Sequence, residues 1–205
     1  MAFDEWAHRI FVLKDEDETD YSPDERLRIA IEVCLNAGRL IDMYDREQLR
    51  DGLWHFNGAF FQPIYDEALP EQDRLACVAA IRTLYTDLFE PYCDDQLGHD
   101  ELDDRPPNPP LNTMCYMWWD TFPSWGHPGD PRAQTIDQAL LGLMGGQLDN
   151  PNMAIVEGGL HGLGHWHFRY PDQTTELVDG FLSRHPRAHP VLRRYATWAR
   201  KGHVL

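Results

Sequence analysis

The chain has 205 residues, 42% of them hydrophobic and 25% charged, with a formal net charge of -16. That length supports one sizeable core without help from disulfides or metal, so a single domain over residues 1–205 is expected. The charge repels nucleic acid and anionic membranes and makes a basic protein the natural partner.

Helix signals recur along the chain. Ser22-Pro23-Asp24-Glu25 is a capping box with proline at the first helical position, followed by Leu27, Ala30, Ile31, Cys34 and Leu35 at helical spacing. Before it, Ile10 to Lys14 is the one candidate for extended chain, and no alternating partner run accompanies it. A second helix is predicted from Asp45 through Leu49, Leu53, Trp54 and Phe56, ending near Asn57-Gly58. A third opens at Pro70 and carries Cys77, Ile81, Leu84, Tyr85 and Leu88 to the Pro91-Tyr92-Cys93 segment. Residues 94–111 are acidic and proline-rich, and read as an exposed loop. Thr113 to Asp120 is short and aromatic, and Phe122 to Pro131 is a turn-rich connection.

Asp130-Pro131 and Asn150-Pro151 each set a good N-cap residue before a proline, predicting a helical hairpin. Its first member carries Ile136, Ala139, Leu140, Leu143 and Met144. Further helices open at Pro171, running to about Arg184, and at Pro190. Short turns between helices of similar length predict an all-α fold of antiparallel helix pairs, stacked as a short α-solenoid or an irregular helical bundle.

The segment Glu157-Gly-Gly-Leu-His161-Gly-Leu-Gly-His165-Trp-His167 carries the chemistry, if any is written. Residues four apart share a helix face, so Glu157, His161 and His165 form a polar stripe opposite Val156, Leu160 and Leu163. As a metal or catalytic site, these three residues are an incomplete ligand set, with His127, Asp120 or His167 as candidates to complete it. The His-Glu-x-x-His pattern of zinc hydrolases is absent. The structural reading is preferred: the glycines let neighbouring helices approach and the histidines bond a helix end or loop. No cofactor is favoured, and zinc or another divalent metal is the alternative. The aromatic run Met114 to His127 could line a pocket or anchor an interface, although plugging the helical stack is favoured. If that run faces the histidine helix, the two make one cleft.

Other chemistry is excluded by what is missing. No phosphate loop, dinucleotide-binding glycine motif or nucleophile elbow is present. Cys34, Cys77, Cys93 and Cys115 are widely spaced, form no Cys-x-x-Cys pair, and read as reduced, buried thiols. No apolar run reaches the roughly 18–20 residues of a membrane span, and Met1 to Trp6 lacks signal-peptide character, so a cytoplasmic protein is expected.

The stretch Ala154 to His165, above all Leu160-His-Gly-Leu-Gly-His165, resembles the second helix of a HEAT-type repeat. That family of stacked helix pairs serves mainly as protein-binding scaffolds, and the resemblance covers at most the last 75 residues. The whole chain resembles uncharacterised bacterial proteins, which implies no activity. In size and charge it is similar to bacterial immunity proteins that neutralise toxins.

The acidic run Asp15 to Asp20 and the region Asp94 to Asp104 contrast with a basic C-terminus bearing Arg187, Arg193, Arg194, Arg200 and Lys201. The favoured expectation is therefore an acidic interaction module that holds a basic partner through Asp94, Asp95, Asp103, Asp104, Trp118, Trp119 and Trp125. The alternative is a metal-dependent, hydrolase-like enzyme built on Glu157, His161 and His165.

Overall fold

A computed structural model describes residues 3–13, 21–98 and 108–204, and among these every regular element is helical. Asp15 to Asp20 fall outside the described residues, as do Asp103 and Asp104. Helix α1 (Phe3–His8) passes directly into a π-helical turn, Arg9–Leu13, where the sequence suggested extended chain. Ile10 and Phe11 are adjacent and both buried, which a strand with one buried face would not allow.

The capping signals act as written. Ser22 opens α2 (Pro23–Leu35): its backbone N–H donates to Glu25 at 2.9 Å while its hydroxyl accepts from the Glu25 N–H at 3.3 Å. After a short α3 (Ala37–Met43), which no sequence signal marked, the Asp45/Gln48 capping box opens α4 (Arg46–Phe60). This helix runs past Asn57-Gly58 because Ala59 and Phe60 are buried and reward continuation. Helix α5 (Glu71–Leu84) continues through a π turn, Tyr85–Phe89, into a single turn α6 (Glu90–Tyr92).

The second half holds α7 (Pro110–Met117), α8 (Gln134–Gln147), α9 (Met153–Trp166), α10 (Pro171–Arg184) and α11 (Pro190–Ala199). Two starts differ from expectation. Asp130 accepts from the Arg132 N–H at 3.0 Å, making a turn that delays α8 to Gln134. Asn150 accepts from the Asn152 N–H, and Asn152 is the residue that caps α9, accepting from Ala154 at 2.9 Å.

Helix α2 packs on α5 and α4 on α7, while α9 is enclosed by α7, α8, α10 and α11. Every residue of α9 from Ala154 to Gly164 is buried, so its polar stripe points into protein. Small residues make that enclosure possible. A Cβ at Gly158 would stand 2.7 Å from the Cys115 carbonyl oxygen, and one at Gly162 would stand 2.6 Å from the Trp119 ring. The all-helical arrangement, with α9 contacting four other helices, is consistent with a helical bundle or a solenoid-like fold.

All four cysteines are free and buried. The basic C-terminal segment docks on acidic and carbonyl partners: Arg200 pairs with Asp179 at 2.8 Å, and Arg193 donates to the carbonyls of Leu182 and His185. Among the described residues no helix is long and apolar enough to cross a membrane.

Candidate metal centre

The turn that follows α7 is held from α4. Buried Asn57 donates to the Trp118 carbonyl and, at 2.8 Å, to the Thr121 hydroxyl, which itself caps the Met117 carbonyl at 3.1 Å. Trp118 and Trp119 act as wedges. Trp118 is fully buried against Phe61, Tyr85 and Phe89, and Trp119 donates its indole N–H to Gln147 of α8 at 3.1 Å. Between these anchors the chain presents Asp120 to the C-terminal half of α9. The aromatic run and the histidine helix thus share one site.

There Asp120 Oδ1 lies 3.1 Å from His165 Nε2, and His165 Nε2 lies 3.1 Å from His161 Nε2. Ligand atoms of all three residues fall within 4.8 Å of one another. Donor atoms about 2.1 Å from a common ion, at angles of about 90–110° around it, stand roughly 3.0–3.4 Å apart, so both observed separations suit a bound divalent metal. His161 is fully buried; the side chains of His165 and Asp120 are 15% and 33% exposed, which leaves one side of the cluster open to solvent. Trp125 stacks on His165 with ring centroids 5.0 Å apart and an interplanar angle of 14°. Burial lowers the His165 imidazole below its ordinary value, against the pull of the Asp120 carboxylate, which favours the neutral form a metal requires.

Behind the cluster stand two tyrosines. Tyr195 of α11 meets His161 Nδ1 at 2.6 Å, and its hydroxyl lies 3.0 Å from that of Tyr116, whose ring covers His161 at 4.0 Å between centroids. Burial above all raises both phenols, Tyr116 to about 12 and Tyr195 further, so both stay protonated at neutral pH. A neutral Tyr195 can accept from His161 Nδ1–H and donate to Tyr116, leaving the His161 Nε2 lone pair aimed at Asp120 and His165.

Several residues singled out in the sequence lie elsewhere. Glu157 is one turn before His161, yet it is not among the clustered ligand groups. Its carboxylate accepts from the Gly98 backbone N–H. Helical geometry explains the split, because eight residues at 3.6 per turn rotate Glu157 about 80° away from His165. His127 lies with Ser124 (2.9 Å) and the Tyr65 ring, and His167 Nδ1 lies 3.1 Å from the Thr174 hydroxyl, so neither completes the set.

Of the expected partner-binding residues, Trp118 and Trp119 are fully buried and cannot meet a partner; their large apolar surfaces are consumed by the core. Trp125 is 44% exposed, but its ring is committed to His165. Asp94 lies 3.8 Å from Arg46, and Asp95 accepts from the Met153 N–H at the start of α9. Tyr116 belongs to the aromatic run that the sequence marks as a candidate pocket lining, whereas Tyr195 carries no such signal, since it comes from α11 and no spacing links it to α9.

These features define an all-α protein in which two histidines of the central helix meet one carboxylate from the turn after α7. Comparison with known protein families, with curated proteins and with solved structures finds no match.

Proposed function

We propose that this protein is a divalent-metal-dependent enzyme of hydrolase type, with Asp120, His161 and His165 as the metal ligands. The observation that carries the reading is the convergence of two imidazole nitrogens and one carboxylate oxygen with separations of 3.1 Å. Three protein ligands with an open side is the pattern of catalytic sites, in which a bound water occupies the remaining position. Such an ion would supply a water acidified to a pKa of about 7 for attack on a substrate. Zinc, iron(II) and manganese all suit this ligand set. Tyr195 and Tyr116 would orient His161, and Trp125 would form one wall of the substrate approach.

Elemental analysis of gently purified, untagged protein tests the reading. About one equivalent of metal is expected, and Asp120→Asn or His165→Ala should lose it while remaining folded. Protein that carries no metal and takes none up on titration would sink the proposal. The cluster would then be a shared hydrogen bond from His165 to Asp120 and His161. An acidic module for a basic partner, of immunity type or otherwise, rests on the net charge of -16 alone.

A further inference from the structure

A small cavity lies beside His127 and shares no lining residue with the Asp120, His161, His165 cluster. The loop segment after α4, the first turn of α5 and the segment leading into α8 enclose a cavity of about 140 Å³, with Tyr65, Glu67, Arg74, His127, Asp130 and Arg132 in its lining. At about 30 Å³ per water molecule, that is room for roughly four or five waters or one small ion with part of its hydration.

Arg74 is the unusual member. It is 94% buried, being 6% exposed, and its Nε is shielded from solvent with no hydrogen-bond partner. Among the described residues its side chain makes no hydrogen bond or ion pair. A guanidinium cannot shed its proton to escape such a setting, and it carries five donors in a planar fork matched to oxyanions. Buried donors of this kind are ordinarily matched by an acceptor.

The nearby carboxylates are already committed. Glu67 pairs with Arg132, and Asp130 meets the same guanidinium at 3.2 Å. Beneath them, fully buried Asp137 accepts from the Tyr65 hydroxyl at 2.6 Å, from the Tyr170 hydroxyl and from the His127 backbone N–H at 2.6 Å. These contacts leave the donors of the Arg74 side chain unmatched among the described residues, in a cavity of anion size with Arg132 on the same lining.

We infer that this cavity binds a small oxyanion of phosphate type between Arg74 and Arg132, either free phosphate or the phosphate group of a small ester. Neither the cavity nor Arg74 belongs to the Asp120, His161, His165 cluster, so the inference stands independently of the metal proposal.

The test is calorimetric titration of the full chain with inorganic phosphate, and in parallel with glycerol phosphate, in chloride buffer of matched ionic strength. Saturable binding at one site is expected, weakened at least 10-fold in Arg74→Met, while Asp120→Asn binds as wild type does. Without phosphate, Arg74→Met should melt no lower than wild type, because the substitution breaks no hydrogen bond or ion pair and keeps an apolar stem in place. Tighter binding of the ester identifies a phosphorylated small molecule as the ligand, and tighter binding of inorganic phosphate identifies the free ion.

No saturable binding of either probe by wild type overturns the inference. So does undiminished binding by Arg74→Met or, should that variant not fold, by Arg74→Gln. Phosphate binding that vanishes in Asp120→Asn but survives loss of Arg74 places the anion at the metal cluster and equally overturns it.

Discussion

His161 and His165, one helical turn apart on α9, bring their Nε2 atoms to 3.1 Å while the other ring nitrogen of His161 meets Tyr195 at 2.6 Å. Two imidazoles with nitrogens turned toward one another, and toward a carboxylate, need either a shared proton or a cation between them. When the Tyr195 hydroxyl accepts from His161 Nδ1–H, the Nε2 of His161 is the nitrogen free to bind.

Tyr195→Phe removes that hydroxyl and keeps the ring. Metal affinity, measured by chelator competition well below the melting temperature, should fall by about 10–100-fold, the usual effect of losing a partner behind a ligating histidine. Unchanged affinity would mean that the tautomer is fixed in some other way.

His161→Gln tests burial at the same position. The imidazole is fully buried and bonded to Tyr195, so the substitution should cost about 1–3 kcal/mol, read from denaturant melts of metal-free protein. A near-neutral result would contradict the enclosure of α9.

Gly158→Ala probes the close approach of α7. The new Cβ would lie 2.7 Å from a backbone oxygen, which cannot rotate aside as a side chain could. A loss of about 1–3 kcal/mol is expected, and for a chain of this size each kcal/mol lowers the melting temperature by roughly 2–4 °C.

Asn57→Ala should act at a distance. Asn57 ties α4 to the turn bearing Asp120, so the variant should lose about 1–3 kcal/mol and also bind metal more weakly, although Asn57 is not a ligand. Calorimetric titration compared with thermal melts separates the two effects. Full metal affinity in a destabilised variant would show that the turn holds Asp120 unaided.

The contact between α11 and α10 has a pH signature. Hydrogen bonding to Arg200 holds the Asp179 carboxyl below its ordinary value, as in solvent-exposed ion pairs generally. A carboxyl with a lowered folded-state pKa contributes stability above its unfolded value and loses that contribution as pH falls through the folded one. Asp179→Asn should therefore melt slightly lower than wild type near pH 7, and the difference should close below about pH 4. The pair is exposed, so the gap at pH 7 should not exceed about 1 kcal/mol.

What could be read locally was decided locally. The Ser22 and Asp45 capping boxes, and the prolines that open α10 and α11, place side chains and backbone within one turn of each other, so sequence spacing alone locates those helices. The all-α class follows, and so does the juxtaposition of His161 and His165, because four residues span one turn.

Other features depended on rotation and on partners far along the chain. Glu157 shares the stripe on paper, but the drift of the helix turns it toward Gly98, while Asp120 enters from a turn held by Asn57, more than sixty residues earlier in the chain. Trp118 and Trp119 look like interface anchors as residues, and only the core around them reveals that they are wedges. No sequence signal marks Arg74. Only the fold shows that Glu67 and Asp130 meet Arg132 and that the Nε of Arg74 is shielded without a partner. Spacing fixes what one helix presents, and packing between distant segments fixes what meets it.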